Sequence, residues 1–208
     1  MGAFRVVAGI DEAGRGSVLG SMYIGYVEID RQSKLKNIGV KDSKLLSPKR
    51  REKIAKQIKK IAKWDVIKVT PKEIDLRQAV KQSLTSLEGI KMAKLINKHR
   101  PSKVIIDCPS SNPITFKQFI KTYLQYNPKL VIEHKADYKY PVVSAASIIA
   151  KVERDKEIRS ISKQIKIDLG SGYPSDERAV KAIRKLMASG DEKYIRRTWY
   201  TYKKEVEK

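Results

Sequence analysis

The chain has 208 residues with 41% hydrophobic content, which is enough for one sizeable core. No apolar stretch approaches the roughly 20 residues of a membrane span. We therefore expect a soluble, cytoplasmic globular protein. Its 45 Lys and Arg residues against 23 Asp and Glu give a net charge of +22, which favours nucleic acid, ahead of a membrane surface, as its partner. A single cysteine and two histidines exclude an intramolecular disulfide and a Cys/His zinc site.

The chain opens with strand-like segments. Short apolar runs bounded by turn residues predict a β-meander with strands at residues 4–10, 22–29 and 65–70. Between the last two strands, Ser47 followed by Pro48 is typical of a helix start. The isoleucine spacing after it predicts an amphipathic helix that ends before Trp64.

The middle of the chain alternates between helices and strands. Apolar spacing predicts a long helix over residues 75–98, which Arg100 and Pro101 end. The predicted elements that follow are a strand at 103–106, a helix at 114–126, a strand at 130–134 and a helix at 142–161. A meander followed by this βαβα order predicts an α/β fold.

The C-terminal region is predicted to be a helical extension. The glycine-rich segment 170–172 marks a predicted boundary between a core, residues 1–169, and this extension, residues 170–208. Ser175 is predicted to cap a helix whose first turn is acidic. The aromatic residues within 193–208 predict that the last segment packs back on the body of the protein.

Four carboxylates lie at or just past the ends of predicted strands. They are Asp11, Glu12, Asp107 and Asp137. Open α/β sheets place their ligand sites at the carboxyl ends of strands, and clustered acids repel one another unless cations fill the site. A hard divalent ion such as Mg²⁺ accepts oxygen ligands, so we predict a metal site. Because neighbouring strand residues point to opposite faces, at least one of Asp11 and Glu12 is expected to lie beyond the strand's end or to bind through a turn.

Four stretches of the sequence have the character of motifs. They are Gly9-Ile10-Asp11-Glu12-Ala13-Gly14-Arg15-Gly16, Asp42-Ser43-Lys44, Ala136-Asp137 with the segment 140–152, and Gly170-Ser171-Gly172-Tyr173-Pro174-Ser175-Asp176. In this order they resemble the motifs of type 2 ribonuclease H, the ribonuclease HII family. The last stretch resembles the archaeal branch. The resemblance covers nearly the whole chain and implies a ribonuclease H-like mixed five-stranded sheet flanked by helices, with a C-terminal helical extension that contributes to substrate binding.

The resemblance also implies an activity. It implies an endoribonuclease that hydrolyses RNA in RNA/DNA hybrids and cuts 5′ to ribonucleotides embedded in duplex DNA, leaving 3′-hydroxyl and 5′-phosphate ends. The implied catalytic and metal-binding residues are Asp11, Glu12, Asp107 and Asp137, with two Mg²⁺ or Mn²⁺ ions as cofactors. A monomer is expected, and a sliding clamp is a candidate partner.

The resemblance assigns substrate reading to Gly14-Arg15-Gly16 and Tyr173. Glycines let backbone amides approach a ribose closely, and the 2′-hydroxyl distinguishes RNA from DNA. Tyr173 is expected to pack on the deoxyribose beside the ribonucleotide. Lys44 and Lys151 are candidate phosphate contacts.

Three positions depart from the family's pattern. Ser17 and Ser21 stand where the family commonly has proline, and we expect their greater backbone freedom to loosen the loop. Glu177 stands where the archaeal pattern usually has proline. We assign no chemistry to Cys108, which we expect to be buried, or to His134, which we expect to be structural or exposed.

Two other interpretations stay open from the sequence. A different ribonuclease H-like nuclease, such as a junction resolvase or an integrase-type strand transferase, would share the acidic residues and lack the pairing of Gly14-Arg15-Gly16 with Tyr173. A non-catalytic binder of RNA or DNA would use the positive charge alone. The four carboxylates argue against such a binder, since they would stand where phosphates must approach.

Overall fold

The computed structural model describes residues 6–40 and 46–207, so the predicted phosphate contact Lys44 lies outside the described residues. Five described strands form one mixed sheet in the order β3-β2-β1-β4-β5. The strands are β1 (Val7–Ala13), β2 (Met22–Ile29), β3 (Lys63–Val69), β4 (Lys103–Asp107) and β5 (Lys129–Glu133). The predicted α/β fold with a five-stranded sheet is confirmed.

Helices precede and follow these strands and fill the C-terminal region. The described helices are α1 (Ser33–Asn37), α2 (Pro48–Ile61), α3 (Pro71–Leu76), α4 (Leu84–His99), α5 (Pro113–Thr122), α6 (Ala136–Lys139), α7 (Pro141–Ile165), α8 (Glu177–Ser189) and α9 (Tyr200–Val206). A short 3-10 turn spans Glu192–Tyr194. Within residues 6–40 and 46–207, every helix is too short or too polar to cross a membrane.

The parallel part of the sheet aligns the carboxyl ends of three strands. β1 pairs in parallel with β4, with Ile10 opposite Ile106, and β4 pairs in parallel with β5, with Ile106 opposite Ile132. Parallel neighbours end at the same edge of a sheet. This edge is where the sequence predicted an acidic site.

The predicted helix over 75–98 is wrong, because the chain forms two helices there. Thr70 caps α3 through a capping box with Pro71 in the first turn, so the helix begins earlier than expected. Lys81, between α3 and α4, has a left-handed backbone with φ of 51°, which a continuous helix does not allow. Leu76, predicted to lie on the apolar face, is 55% exposed.

Local capping fixes where α2 and α8 begin. Ser47 caps α2 as predicted, with its hydroxyl accepting a hydrogen bond from Arg50 N at 3.3 Å. Asp176, and not Ser175, caps α8, because its carboxylate accepts a hydrogen bond from Arg178 N at 3.1 Å. A carboxylate also suits the positive end of a helix better than a hydroxyl. The short helix α6 was not predicted.

The chain divides into two compact units. The first takes its residues from 1–13, 24–67 and 85–152, and the second consists of 14–23, 68–84 and 153–208. The proposed division into a catalytic core, 1–169, and a substrate-binding extension, 170–208, is a division by function and stays a prediction.

In the first unit, helix α7 packs directly on β1 and β2 at two glycines. A Cβ atom at Gly9 would lie 2.4 Å from the carbonyl carbon of Val142, and one at Gly25 would lie 2.3 Å from Ala146 O. No side chain fits in that space, so the helix backbone rests on the strands. Small buried residues along α7, such as Ser144, allow this contact.

The second unit has its own hydrophobic core. Val18 and Leu19 pack there with the buried face of α8, which includes Ile183. Trp199 and Tyr202 pack against the same cluster. The prediction that the aromatic C-terminal segment packs back on the protein is therefore confirmed.

Candidate active site

Asp11 and Asp107 occupy equivalent positions on neighbouring parallel strands. Each directly follows a residue of the register pair Ile10 and Ile106. Side chains at equivalent positions of parallel strands lie on the same face of the sheet. Asp11 is 5% exposed. Asp107 is half-buried, and its Oδ1 accepts a hydrogen bond from Ala136 N at 2.8 Å.

Asp137 reaches the same region through helix α6. Lys135 adopts a left-handed backbone, with φ of 56°, and turns the chain from β5 into α6. Asp137 lies in the first turn of this helix and is 5% exposed. The hydrogen bond from Ala136 N to Asp107 links the start of α6 to the end of β4.

The electrostatics of Asp11 show that three carboxylates lie close together. Burial raises the pKa of Asp11 to about 8, and the charge of Asp107 adds to this rise, with a smaller addition from Asp137. Hydrogen bonds from the Ser147 hydroxyl and from Glu12 N lower this pKa.

Glu12 lies within β1, and so does Asp11, because the strand continues to Ala13. Neither acid therefore lies beyond the strand's end, and the alternative that one of them binds through a turn stays a prediction. Glu12 is half-buried. Burial raises the pKa of the Cys108 thiol, and Asp107 and Glu12 both add to the rise. Glu12 and Asp107 therefore both lie near Cys108.

The donor set fits a cation held by few carboxylates. Among residues 6–40 and 46–207, no three acidic, histidine or cysteine side chains converge closely enough to enclose one ion. Mg²⁺ usually binds through one or two carboxylates and completes its shell with water and substrate phosphate. The buried Asp11, whose charge is opposed by Asp107 and Asp137, would be stabilised by such a cation.

Helix α7 contributes a further residue to the site. The hydroxyl of Ser147 donates a hydrogen bond to Asp11. Lys151, the candidate phosphate contact, follows Ser147 by four residues and is half-buried. Residues four apart share one face of a helix. This spacing was the available sequence signal for placing Ser147 beside the acids.

The second unit contains the predicted substrate-reading loop. Gly14 has φ of 83°, in the left-handed region that favours glycine, and its carbonyl accepts a hydrogen bond from Ser17 N at 3.3 Å. Arg15 is half-buried and Gly16 is exposed. A Cβ atom at Gly16 would have no neighbour within 4 Å, so the backbone there is accessible to a ligand.

A buried arginine from the C-terminal region holds this loop. Arg196 is fully buried and donates hydrogen bonds from Nε to Gly20 O and from Nη1 to Arg15 O, both at 3.0 Å. Burial lowers the pKa of Arg196, and the nearby Arg154 adds to the effect. Sequence reasoning missed Arg196, because nothing local separates it from the other basic residues.

Tyr173 lies beside the segment that holds the loop. Its ring packs under Arg154, whose Cζ atom is 4.5 Å from the ring centroid. The preceding Gly172 accepts hydrogen bonds at its carbonyl from Val18 N at 2.9 Å and from Leu19 N at 3.1 Å. The second unit thus brings Tyr173 and the residues that follow Gly16 together.

The two serines that replace prolines are both buried and hydrogen-bonded. Ser17 donates to the carbonyl oxygens of Leu19 and Gly172, at 2.7 and 2.8 Å. Ser21 donates to Glu157 from its hydroxyl at 2.8 Å and from its backbone N at 2.9 Å. The expectation that these serines loosen the loop is therefore wrong, because hydrogen bonds restrain it.

Two residues without assigned chemistry lie as expected. Cys108 is buried, and its thiol donates a hydrogen bond to Ser110 O at 3.3 Å. His134 is exposed at the end of β5.

The strand order and the buried carboxylates at the edge of the sheet define a ribonuclease H-like nuclease. The family model for Ribonuclease HII matches residues 8–202. The chain belongs to the ribonuclease HII family and is a ribonuclease H-type endoribonuclease. Family membership decides against the resolvase, transferase and non-catalytic interpretations.

Named relatives are similar over most of their length. Ribonuclease HII from Pyrococcus horikoshii is 45% identical over 205 residues, which cover 95% of this chain and 91% of that protein. The crystal structure of ribonuclease H2 from Pyrococcus horikoshii OT3 matches with a TM-score of 0.88 and 42% identity over 97% of each chain. Ribonuclease HII from Archaeoglobus fulgidus, in its complex with PCNA, matches with a TM-score of 0.82 and 40% identity over 88% of each chain.

A more distant structure shares the fold alone. Bst-RNase HIII, in a complex with Mn²⁺, matches with a TM-score of 0.82 and 21% identity. The match covers 99% of this chain and 70% of that one. The mixed sheet with flanking helices is therefore common to the two proteins.

Proposed function

We propose that this endoribonuclease hydrolyses RNA in RNA/DNA hybrids and cuts 5′ to ribonucleotides embedded in duplex DNA, using two divalent ions. The products would carry 3′-hydroxyl and 5′-phosphate ends. The observation that carries the proposal is the buried Asp11, whose pKa rises to about 8 through burial and through Asp107 and Asp137. Such a site favours a cation, and a cation in a basic protein draws in a phosphodiester.

Two of the four proposed ligands are oriented by hydrogen bonds. Asp11, Glu12, Asp107 and Asp137 would be the ligands. Ser147 orients Asp11 through a hydrogen bond, and Ala136 N orients Asp107 at 2.8 Å. When bound, Mg²⁺ or Mn²⁺ supplies charge neutralisation and an activated water for in-line displacement at phosphorus.

The remaining predicted residues would bind and select the substrate. Lys151, one turn after Ser147, would neutralise a phosphate beside the acids. The exposed Gly16 and its neighbour Arg15 would read the ribose 2′-hydroxyl and hold an adjoining phosphate. Tyr173 would pack on the deoxyribose that follows the ribonucleotide. Selection would thus require ribose at one position and favour deoxyribose at the next.

Helix α2 supports binding to a duplex backbone. One face buries apolar residues, which are Ile54, Ala55 and Ile58. The opposite face forms a lysine stripe of exposed side chains, Lys49, Lys53, Lys56 and Lys60. Their helical spacing gives a stripe of roughly 16 Å at 1.5 Å per residue. We propose that this stripe contacts phosphates of the bound duplex.

Partner and location are proposed on a narrower basis. The Archaeoglobus fulgidus relative, 40% identical, forms a complex with PCNA. We propose that a sliding clamp also binds this protein. The monomeric state and the cytoplasmic location stay predictions from the sequence.

Cleavage of a labelled DNA duplex with one ribonucleotide tests the proposal. Each reaction is run with Mg²⁺, Mn²⁺ or chelator, beside all-DNA and all-RNA duplexes. We expect one cut on the 5′ side of the ribonucleotide with either metal and none with chelator. Asp107→Asn should lose at least a hundredfold in rate, since it removes one charge from the site.

An exposed carboxylate provides the matched control. Asp30 is exposed and forms a salt bridge with Lys34 at 2.9 Å. Asp30→Asn removes the same charge and should cut at the wild-type rate. Equal loss in both variants, cleavage of all-DNA, or cleavage in chelator would each contradict the proposal.

A further inference from the structure

The hydroxyl of Ser17 occupies a fully buried position in the second unit. Its proton is shared between Leu19 O at 2.7 Å and Gly172 O at 2.8 Å. Its oxygen also accepts a hydrogen bond from Arg154 Nη2 at 3.0 Å. One hydroxyl therefore joins the loop that follows Gly16, the segment before Tyr173 and a buried arginine.

Arg154 carries this connection to Tyr173. The arginine is 3% exposed, and its Nη2 also donates a hydrogen bond to Ser171 O. Its Cζ lies 4.5 Å from the centroid of the Tyr173 ring, a cation–π distance. Ser17 and Ser171 O thus fix the plane on which the tyrosine ring packs.

The packing around these groups leaves little freedom. A Cβ atom at Gly172 would lie 2.9 Å from Arg154 Nη2 and 3.1 Å from Ser17 Oγ. One at Gly14 would lie 3.0 Å from Ser21 O and 3.3 Å from Arg154 Cγ. Both glycines have positive φ, so Arg154 is held between the reading loop and the segment of Tyr173.

We propose that Ser17 is a positioning residue that couples the Gly14-Arg15-Gly16 loop to Tyr173 through Arg154. The inference rests on the proposed function, in which the loop reads a ribose and Tyr173 the next deoxyribose. Without the hydroxyl, Arg154 loses one of its two acceptors at Nη2 and the ring loses its fixed support. Recognition of the ribose-to-deoxyribose junction then weakens more than recognition of ribose alone.

Ser21 is the matched control in the same loop. It is also buried, and its hydroxyl bonds Glu157, which in turn pairs with Lys68 at 2.7 Å. Ser21→Ala therefore deletes a buried loop hydroxyl of the same size without touching Arg154. Any general effect of loosening the loop should appear in both variants.

The test compares two substrates, a DNA duplex with one ribonucleotide and a continuous RNA/DNA hybrid. The quantity is the ratio of kcat/KM on the first to kcat/KM on the second. Ser17→Ala should lower the ratio about tenfold, the size expected for losing a hydrogen bond to a charged group. Ser17→Cys, whose thiol is a weaker hydrogen-bond acceptor, should give a ratio between that of Ser17→Ala and that of the wild type. Ser21→Ala should change the ratio less than twofold.

A double-mutant cycle separates positioning from a purely structural effect. In a Tyr173→Ala background, Ser17→Ala should change the ratio less than twofold, because the ring that it positions is gone. An undiminished effect in that background would overturn the proposal. So would a ratio unchanged by Ser17→Ala, or an equal loss on both substrates.

Failure of the proposal is distinguishable from failure of the proposed function. If the wild-type protein cuts neither substrate, the proposed function is wrong. If it cuts both and Ser17→Ala keeps the wild-type ratio, only the role of Ser17 is wrong. Thermal unfolding of each variant checks that the fold is retained.

Discussion

A single buried carboxylate, Asp11, links stability and pH to the proposed metal binding of this protein. Burial and the charge of Asp107 raise the pKa of Asp11 to about 8, so the folded state holds this proton more tightly than the unfolded state. Stability from this group is therefore highest below about pH 4 and falls as the pH rises towards 8. A cation bound beside Asp11 would stabilise the charged carboxylate, so above neutral pH the stability of the protein would rise with pH and not fall.

Removing this charge should stabilise the metal-free protein. In chelator at pH 9, Asp11→Asn should raise the free energy of unfolding by about 2 kcal/mol, because burial and then the neighbouring carboxylates both disfavour the charge that the variant lacks. Adding Mg²⁺ should raise the melting temperature of the wild type and barely change that of the variant. Thermal unfolding between pH 5 and 9 measures both. Destabilisation by Asp11→Asn at pH 9 would contradict the electrostatic account.

Gly9 precedes Asp11 and Glu12 in the sequence and Gly16 follows them, and we expect replacement of these two glycines by alanine to have different effects. Gly9→Ala should destabilise the fold by about 3 kcal/mol, because the added carbon meets the backbone of Val142 at 2.4 Å. Gly16→Ala should leave the unfolding temperature unchanged, since no atom lies within 4 Å of the added carbon. It should nevertheless cut cleavage at least tenfold, because it blocks approach to the ribose. Normal cleavage by Gly16→Ala would show that this position does not read the substrate.

At the scale of an element, the stripe on α2 predicts a measurable salt effect. Lys53→Gln combined with Lys56→Gln should reduce the slope of log affinity against log salt by about 2, one unit for each lost phosphate contact. Fluorescence anisotropy with a labelled duplex from low to high salt gives the slope. The control is Lys121→Gln with Lys129→Gln, two exposed lysines elsewhere in the first unit. An equal change in the control would assign the effect to net charge and not to the stripe.

Local signals explain which elements could be predicted from the sequence. Strands β2, β4 and β5 are short apolar runs, and Ser47 with Pro48 marks the start of α2. The break between α3 and α4 was missed because apolar spacing continues across a residue with positive φ, Lys81. The spacing of apolar residues indicates which faces of a helix can be buried. The backbone conformation of a single residue also depends on the tertiary structure around it, which the spacing does not show.

The candidate site also has residues that could be predicted from the sequence and residues that could not. Its acids could be predicted because they follow apolar runs and match family motifs. The supports of the reading loop could not, because Arg196 lies 181 positions from the Arg15 carbonyl that it holds. The pairing of Ser17 with Arg154 likewise spans 137 positions. Contacts at such separations leave no periodic trace in the chain.

At the scale of the whole molecule, we expect the charge of +22 to govern how fast and how tightly the protein associates with any nucleic-acid duplex, and not which duplex it cleaves. All-DNA duplex should therefore compete with the substrate, and its Kd should rise by a factor of about 10³ between 50 and 200 mM salt. The cleavage rate at saturating substrate should change far less. Competition assays at several salt concentrations measure both. An all-DNA duplex that fails to compete at low salt would contradict a charge-driven encounter.

The hydrogen bonds from Arg196 to Arg15 O and Gly20 O have a consequence for synthesis of the protein. The ribosome adds the arginine 181 residues after Arg15, whose carbonyl it anchors. The four acids are all present in the chain before residue 196 is added. A growing chain would thus carry the proposed metal ligands before it could hold the proposed ribose-reading loop, and it would acquire selectivity later than the ligands.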